Sequence, residues 1–429
     1  MTSASEGLQA AWSRFWRATR PQGQRPAAVL IVPALATLLG LQPVTTDLYL
    51  PALPALQADL QASMTHTQLT LSALLLAFGF AQLLAGPLAD RYGRRPVMLA
   101  GLLTYVVATL ASAAAPDIRL LIACRMLQGI GMAAVVVCAR AMVRDLFEPT
   151  DGARTMARAL SGLGIVALTG PLAGAVLAWL WNWRAAFLAC ALYAALLLAF
   201  AIGWLPETLG QRNASATRLR PLLNAARRIL AHPVFRSWAL LMAFTYGAIY
   251  SFLAGSAFLY INALGASRLG YGLAVSLNSA SYIAGTLFCH HLLRKHSMQW
   301  TVRRGGLFSM AGALLLCGLA LSGAAGFASV TAAFMVVAFG HGHHQPCAQA
   351  AVAGPFPALA GTASALAGFF MSALAFAISA WLGVAIDGRP SPILLTQALF
   401  AALTALVAWT VVRWHGSNVA DKVKIGGAA

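Results

Sequence analysis

The sequence predicts an all-α integral membrane protein with twelve spanning helices in two halves of six. Three observations carry this. Sixty per cent of the 429 residues are hydrophobic and only 9% are charged, whereas a soluble domain carries about 25% charged residues. Twelve apolar segments follow one another, at 29–50, 66–88, 97–115, 119–142, 155–179, 185–205, 236–262, 269–293, 304–323, 328–353, 361–386 and 391–413. Each is about long enough to cross a hydrocarbon core of roughly 30 Å as a helix. A polar stretch at 206–235 then splits these segments six and six.

Residues 1–28 form a basic tail with Arg14, Arg17, Arg20 and Arg25, and Trp12, Phe15 and Trp16 give it an amphipathic character. The apolar run that follows is too long for the h-region of a signal peptide, so none is expected. The halves are 29–205 and 236–413, joined by the 206–235 linker and followed by a tail at 414–429. Within the linker, Leu219 to Ala231 reads as an amphipathic surface helix carrying Arg227 and Arg228.

The first segment ends Thr45-Thr46-Asp47-Leu48-Tyr49-Leu50-Pro51-Ala52-Leu53-Pro54. Asp47 is the one carboxylate clearly inside an apolar segment, and an intramembrane carboxylate marks function by default. Pro43, Pro51 and Pro54 break or kink this helix and free backbone carbonyls, which is tolerable only beside a cavity or other helices. Between the second and third segments lies Gly86-Pro87-Leu88-Ala89-Asp90-Arg91-Tyr92-Gly93-Arg94-Arg95-Pro96, a short, charged, glycine-punctuated turn. Its length forces the flanking helices to lie side by side. Pro96 suits a first helical turn, and Asp90 is expected near that helix start, where the dipole favours a carboxylate.

The fourth segment carries Arg125 and Gln128, three apart and so on one helical face. The fifth carries Gly162, Gly164, Gly170-Pro171 and Gly174, with a small-xxx-small pair at Gly170 and Gly174 that lets a neighbour pack closely. The seventh is aromatic, with Tyr246 and Tyr250 on one face; the eighth adds Asn278 and Tyr282. Aromatics with a polar tip suit flat, amphipathic or cationic ligands. The tenth contains His341-Gly342-His343-His344-Gln345-Pro346-Cys347. A soft metal ion fits such spacing, but no second-half carboxylate joins it, and a polar, titratable stretch lining a cavity is the plainer reading.

The net charge of +18 is explained by its placement. With the amino terminus inside, 24 of the 29 Lys and Arg fall in cytoplasmic segments and four outside, at Arg119, Arg184, Arg268 and Arg389. This positive-inside bias puts both termini and the linker in the cytoplasm and points to lipid, with no nucleic-acid partner. The six cysteines all lie in apolar segments, so a disulfide framework is not expected. No phosphate-binding P-loop is present, which excludes ATP as the energy source. No catalytic constellation and no loop long enough for a soluble domain point to an enzyme. Neither a cofactor nor a bound metal is expected.

Four of these stretches resemble the major facilitator superfamily of transporters. The 86–96 turn is similar to the family's loop between helices two and three, G-x-L-A-D-R-x-G-R-[RK]-x, and the resemblance implies a conformational gate at Gly86, Asp90, Arg91, Gly93, Arg94 and Arg95. Cys124 to Gly131 resembles the R-x-x-Q-G motif of helix four, which implies proton coupling at Arg125. Helix five resembles the antiporter motif G-x-x-x-G-P-x-x-G-G around Gly170, Pro171 and Gly174, with Val166 and Ala175 in place of two glycines. Thr46 to Pro54 resembles the first helix of the bicyclomycin-resistance drug:proton antiporters.

The family's fold is two six-helix halves built of three-helix inverted repeats, with substrate bound between the halves on helices 1, 4, 7 and 10. The function implied is proton-coupled efflux of small amphipathic drugs in a bacterial-type inner membrane, by a monomer. A proton-coupled carrier of a metabolite or nucleoside-like compound is the alternative, and a metal-ion carrier a more distant one. Asp47, Arg125, His341 and His344 are the candidates for proton coupling. Tyr49, Gln128, Tyr246, Tyr250, Asn278, Tyr282 and His343 are the candidates for the substrate cavity.

Overall fold

The computed structural model describes residues 28–146, 169–214 and 216–416. Gly162, Gly164 and Val166, the terminal tails at 1–27 and 417–429, and the aromatic residues Trp12, Phe15 and Trp16 lie outside the described residues. What is described is helical, with no strand among these residues. The long helices are α1 (Ala28–Asp47), α2 (Met64–Tyr92), α3 (Arg94–Ala113), α4 (Ile118–Leu146) and α5, of which Thr169–Leu180 is described. They continue as α6 (Arg184–Trp204), α7 (Pro233–Ala257), α8 (Arg268–Leu293), α9 (Met298–Ser322), α10 (Phe327–Ala353), α11 (Ala360–Ala385) and α12 (Ser391–Trp409). Each matches one of the twelve apolar segments. The linker helix Leu219–Ala231 stands between α6 and α7.

Local chemistry sets several boundaries. Ser63, Ser267 and Ser297 cap α2, α8 and α9, each hydroxyl accepting from the backbone N–H three residues on, which satisfies a donor the helix leaves orphaned. The first segment ends earlier than its hydropathy suggests. α1 stops at Asp47, and Pro51 and Pro54 start a 3₁₀ turn (Leu50–Ala52) and a short helix (Leu53–Asp59). The 86–96 turn is tighter than expected. α2 runs through Pro87 to Tyr92, and Gly93 alone, at φ +109°, separates it from α3.

The bundle is apolar outside as well as inside. Leu84, Leu103, Val107, Leu192, Leu196 and Leu314 are each more than half exposed, the surface a lipid-facing helix presents. Exposed tryptophans sit at helix ends, Trp179, Trp181 and Trp381 at one end of the bundle and Trp204 and Trp414 at the other, as aromatic belts do. Nine described helices are long and apolar enough to cross a membrane. α2 packs against α4 within the first six helices and against α11 of the last six. One end of the bundle, called here the linker face, carries the α2–α3 turn and the 206–232 connection. The opposite end is the far face.

Candidate functional site

At the linker face the α2–α3 turn is held by ionic and backbone contacts. Arg94 pairs with Asp90 at 2.5 Å and, through Nε, with Asp145 at the end of α4 at 3.1 Å. The linker supplies the rest. Glu207 accepts from the backbone N–H groups of Arg94 at 3.0 Å and Arg95 at 3.3 Å. Thr208 donates to Asp145 at 3.0 Å, Arg91 donates to Thr217 at 2.6 Å, and the Asn213 N–H donates to the carbonyl of Asp90 at 3.0 Å. The carboxylate that meets the positive end of the α3 dipole is therefore Glu207, not Asp90. Asp90 lies in the last turn of α2, where the dipole is unfavourable to it, and Arg94 compensates. Gly93 is where a Cβ would run into the Glu207 carboxylate. Gly86 lies about two turns before it on α2, near Val137 of α4.

Arg125 on α4 is fully buried. It donates through Nε to the Thr70 carbonyl at 3.0 Å and through Nη1 to Gln128 at 2.6 Å, and it lies over the ring of Tyr49 at 4.5 Å and of Phe187 at 5.5 Å. Gln128 continues the chain to Thr109 at 2.7 Å, while Tyr49 and Thr70 share a hydrogen bond at 2.5 Å. No carboxylate pairs with this guanidinium among the described residues, and Nη2 has no hydrogen-bond partner. Carbonyls and aromatic faces stand in for a counter-ion.

Asp47 ends α1 and is 9% exposed. Thr46 donates to its Oδ1 at 3.2 Å, and it makes no ion pair among the described residues. Helix α5 packs directly on this corner. A Cβ on Gly170 would come within 3.0 Å of the Asp47 Cβ, and one on Gly174 within 2.5 Å of the Leu48 carbonyl oxygen. The glycines flanking Pro171 are therefore what lets α5 seat against the end of α1. The other side of α5 meets α8, where a Cβ on Gly272 would lie 3.1 Å from Ala175.

The far half is locked across the two sets of six helices. Thr65 donates to the Gly383 carbonyl at 2.9 Å, Gln68 to Ala254 at 2.8 Å, Ser379 to Gln68 at 3.1 Å and Arg268 to Ala178 at 2.7 Å. Towards the linker face lies a cavity of about 370 Å³, lined from α1 (Leu39, Gln42, Pro43), α2 (Leu75, Phe78, Gln82), α4 (Arg140), α7 (Met242, Tyr246), α10 (Gln345, Gln349, Val352) and α11 (Ser364, Gly368, Met371, Ser372). Its size suits a small organic ligand. Asp47 lies one helical turn beyond Pro43, on the locked side, about 6 Å further along the axis.

Of the cavity residues expected from sequence, Tyr246 lies on this wall and stacks on Tyr250 at 6.0 Å. Tyr49 and Gln128 belong to the Arg125 cluster instead. Asn278 is buried on α8, and Tyr282 packs its ring on His341 at 5.3 Å. The tenth-segment histidines diverge. His341 bonds Thr245 of α7 at 2.9 Å, His344 bonds Ser309 of α9 at 3.1 Å, and His343 bonds its own Phe339 carbonyl at 2.9 Å while packed between Phe288 and Phe308. No group of three or more His, Cys, Asp or Glu among the described residues converges as a metal site would. Cys289 and Cys347 approach to 3.7 Å as free thiols.

The glutamines of the wall went unmarked in the sequence. Gln345 sits inside the histidine run and was visible there. Gln42, Gln82 and Gln349 are single polar residues in apolar helices, and their shared direction emerges only when three helices are brought together.

The family model described as Major Facilitator Superfamily matches residues 35–380. Multidrug resistance protein D of Escherichia coli (strain K12) is 30% identical over 346 residues, 80% of this chain and 86% of that protein. The bicyclomycin resistance protein homolog of Haemophilus influenzae (strain ATCC 51907 / DSM 11121 / KW20 / Rd) is 24% identical over 280 residues, 65% of this chain and 70% of that protein. Among solved structures, a D-xylose-proton symporter superposes with a TM-score of 0.70 at 17% identity, covering 90% of this chain and 98% of that one. With the long described helices following the apolar segments in order, a cavity walled by both sets and a family match across most of its length, the chain belongs to the Major Facilitator Superfamily and is a membrane transporter, not an enzyme.

Proposed function

We propose that the protein is a proton-driven exporter of small amphipathic compounds working by alternating access, with the linker face in the cytoplasm. The observation that carries this reading is the pairing of a locked far half with a cavity in the linker-side half. Taken with the basic residues of the linker side, it describes a state loading from the cytoplasm. The similarity to multidrug and bicyclomycin resistance proteins supports a drug-like cargo.

Asp47 is the proposed proton carrier. It is a buried carboxylate without an ion pair, one turn past the cavity and in the contact between α1 and α5. Protonation there removes a charge from a helix junction that must re-form when the far half opens. Arg125 holds the α1–α2 corner through Tyr49 and Thr70 and is the proposed relay of that change; His341 and His344 tie α10 to α7 and α9 and are secondary candidates. The turn at Gly86, Asp90, Arg91, Gly93, Arg94 and Arg95 is proposed as the conformational gate. The protein is proposed to act as a monomer in a bacterial-type inner membrane.

The test uses inside-out vesicles energised to an acidic interior. Adding a transported compound should discharge the proton gradient in vesicles holding the wild-type protein, and an uncoupler should abolish accumulation of that compound. Higher cellular accumulation of the same compounds on expression would overturn the export direction.

A further inference from the structure

The charge of the cavity wall decides what it can hold. Of the residues that line it, one is ionic, Arg140, and it is a cation. Among the described residues that line it, none is a carboxylate. Asp47 is turned into the α1–α5 junction in the locked half. The remaining carboxylates among the described residues, Asp59, Asp90, Asp117, Asp145, Glu207 and Asp387, sit at helix ends or in connections. Burial strips an organic cation of its hydration, and an opposite charge close by is the strongest compensation for that loss. Among the described residues this wall offers none, and Phe78 and Tyr246 are its aromatic faces.

What it offers is carboxamide. Gln42, Gln82, Gln345 and Gln349 face it from α1, α2 and α10, each presenting two donors and an acceptor. Gln345 is 9% exposed, and its Oε1 has no hydrogen-bond partner. An unmade bond at a buried acceptor is a standing cost, and a turn of the amide about its last torsion brings that oxygen to a ligand that carries a donor. Gln82 is 4% exposed and its amide is pressed against Gly368 of α11, where a Cβ would lie 3.1 Å from Oε1. Leu75, Phe78, Met242 and Met371 supply the apolar remainder, and the methionines adapt to varied shapes.

We infer that the cavity takes an uncharged amphipathic compound with several hydrogen-bonding groups in preference to a lipophilic cation, and that Gln345 and Gln82 set this preference. This rests on the exporter reading of the same cavity. A ligand spanning both amides touches both sets of six helices, since Gln82 belongs to the first and Gln345 to the second. Such a ligand binds only while those two residues face one another, so its affinity reports the state of the cavity.

The test is equilibrium binding to the purified protein with two probes, chloramphenicol, an uncharged amide with two hydroxyls, and tetraphenylphosphonium, an apolar cation. Wild type should bind chloramphenicol at least about tenfold more tightly. Gln345→Leu and Gln82→Leu should each weaken chloramphenicol about tenfold and leave tetraphenylphosphonium unchanged. Gln345→Glu, which keeps the shape and adds the missing charge, should tighten tetraphenylphosphonium about tenfold. Tighter cation binding by wild type, no measurable chloramphenicol binding, or chloramphenicol binding indifferent to both leucine variants overturns the inference. A vesicle assay in which neither compound discharges a proton gradient would instead count against the exporter, with the binding ratio still standing.

Discussion

Helices α2 and α11 meet along much of their length, yet their two ends differ in kind. Towards the far face they are joined by Thr65, Gln68, Ser379 and Gly383 through side chain to backbone hydrogen bonds. Near the middle the contact is apolar and close: Phe80 meets Phe369 at 4.7 Å, and a Cβ on Gly79 would lie 2.5 Å from the Ser372 Cβ. From Leu75 and Ser372 towards the linker face the same helices also contribute cavity wall, as far as Gln82 and Ser364. The difference teaches how one helix pair serves as both lock and vestibule. Small polar side chains bonded to backbone make a contact that separates without stranding a charge. The glutamines beyond it are left for a ligand.

The linker face is locked by other means, ionic and confined to the first six helices and the linker: Arg94 between Asp90 and Asp145, with Glu207 on the α3 amino terminus. The far lock crosses between the two sets of six; the linker latch does not.

The harshest way to break this contrast is Gly174→Val. Its side chain would enter the backbone of Leu48, where no rotamer change gives relief. We expect loss of folded protein, or a far half that cannot close, read as little monodisperse material or as labelling of a cysteine placed at Thr65. Normal yield with an unlabelled far half would remove Gly174 from the lock. Asp47→Asn comes next. It relieves an insertion cost of roughly 2.5–3.5 kcal/mol and keeps the size, so expression should be normal while proton-driven transport is lost. Substrate-induced proton release from purified protein decides it, since release equal to wild type would place the coupling proton elsewhere.

Smaller effects should follow at the linker latch. Asp90→Asn and Glu207→Gln each remove one contact from a network of several. Transport should slow while ligand affinity stays within a few fold, and affinity lost with cycling intact would contradict a gating role. The smallest effect belongs to Asp59 at the far face, which accepts from Trp183 at 2.8 Å and Arg184 at 2.8 Å. These bonds, Trp183 first, hold its carboxyl below the usual carboxylate range. A lowered folded-state value means that the contribution is present above the unfolded value of about 3.9 and fades as pH falls through the folded one. Asp59→Asn should therefore lower thermal stability slightly at neutral pH and show no difference from wild type in strong acid.

Much of this was legible in the chain. Composition and the run of apolar segments specify twelve spanning helices because a continuous apolar run of about twenty residues satisfies its own backbone groups in lipid only as a helix, whereas barrel strands are shorter and alternate. The motifs around Asp90, Arg125 and Gly170 identify the family because their spacing is local. Asp47 stood out because a lone carboxylate in an apolar run is expensive wherever the helix packs.

What tertiary structure decided is which residues face one another, and this depends on contacts far apart in sequence. Glu207 meets the amino terminus of α3 from more than a hundred positions away. Gly170 is needed because Asp47 lies against it. The histidine run, so conspicuous in sequence, scatters onto α7, α9 and its own backbone, since side chains one and two apart on a helix point in different directions. Gln42, Gln82 and Gln349 join Gln345 on the cavity wall without any local pattern to mark them, because a wall shared by six helices exists only once they have packed.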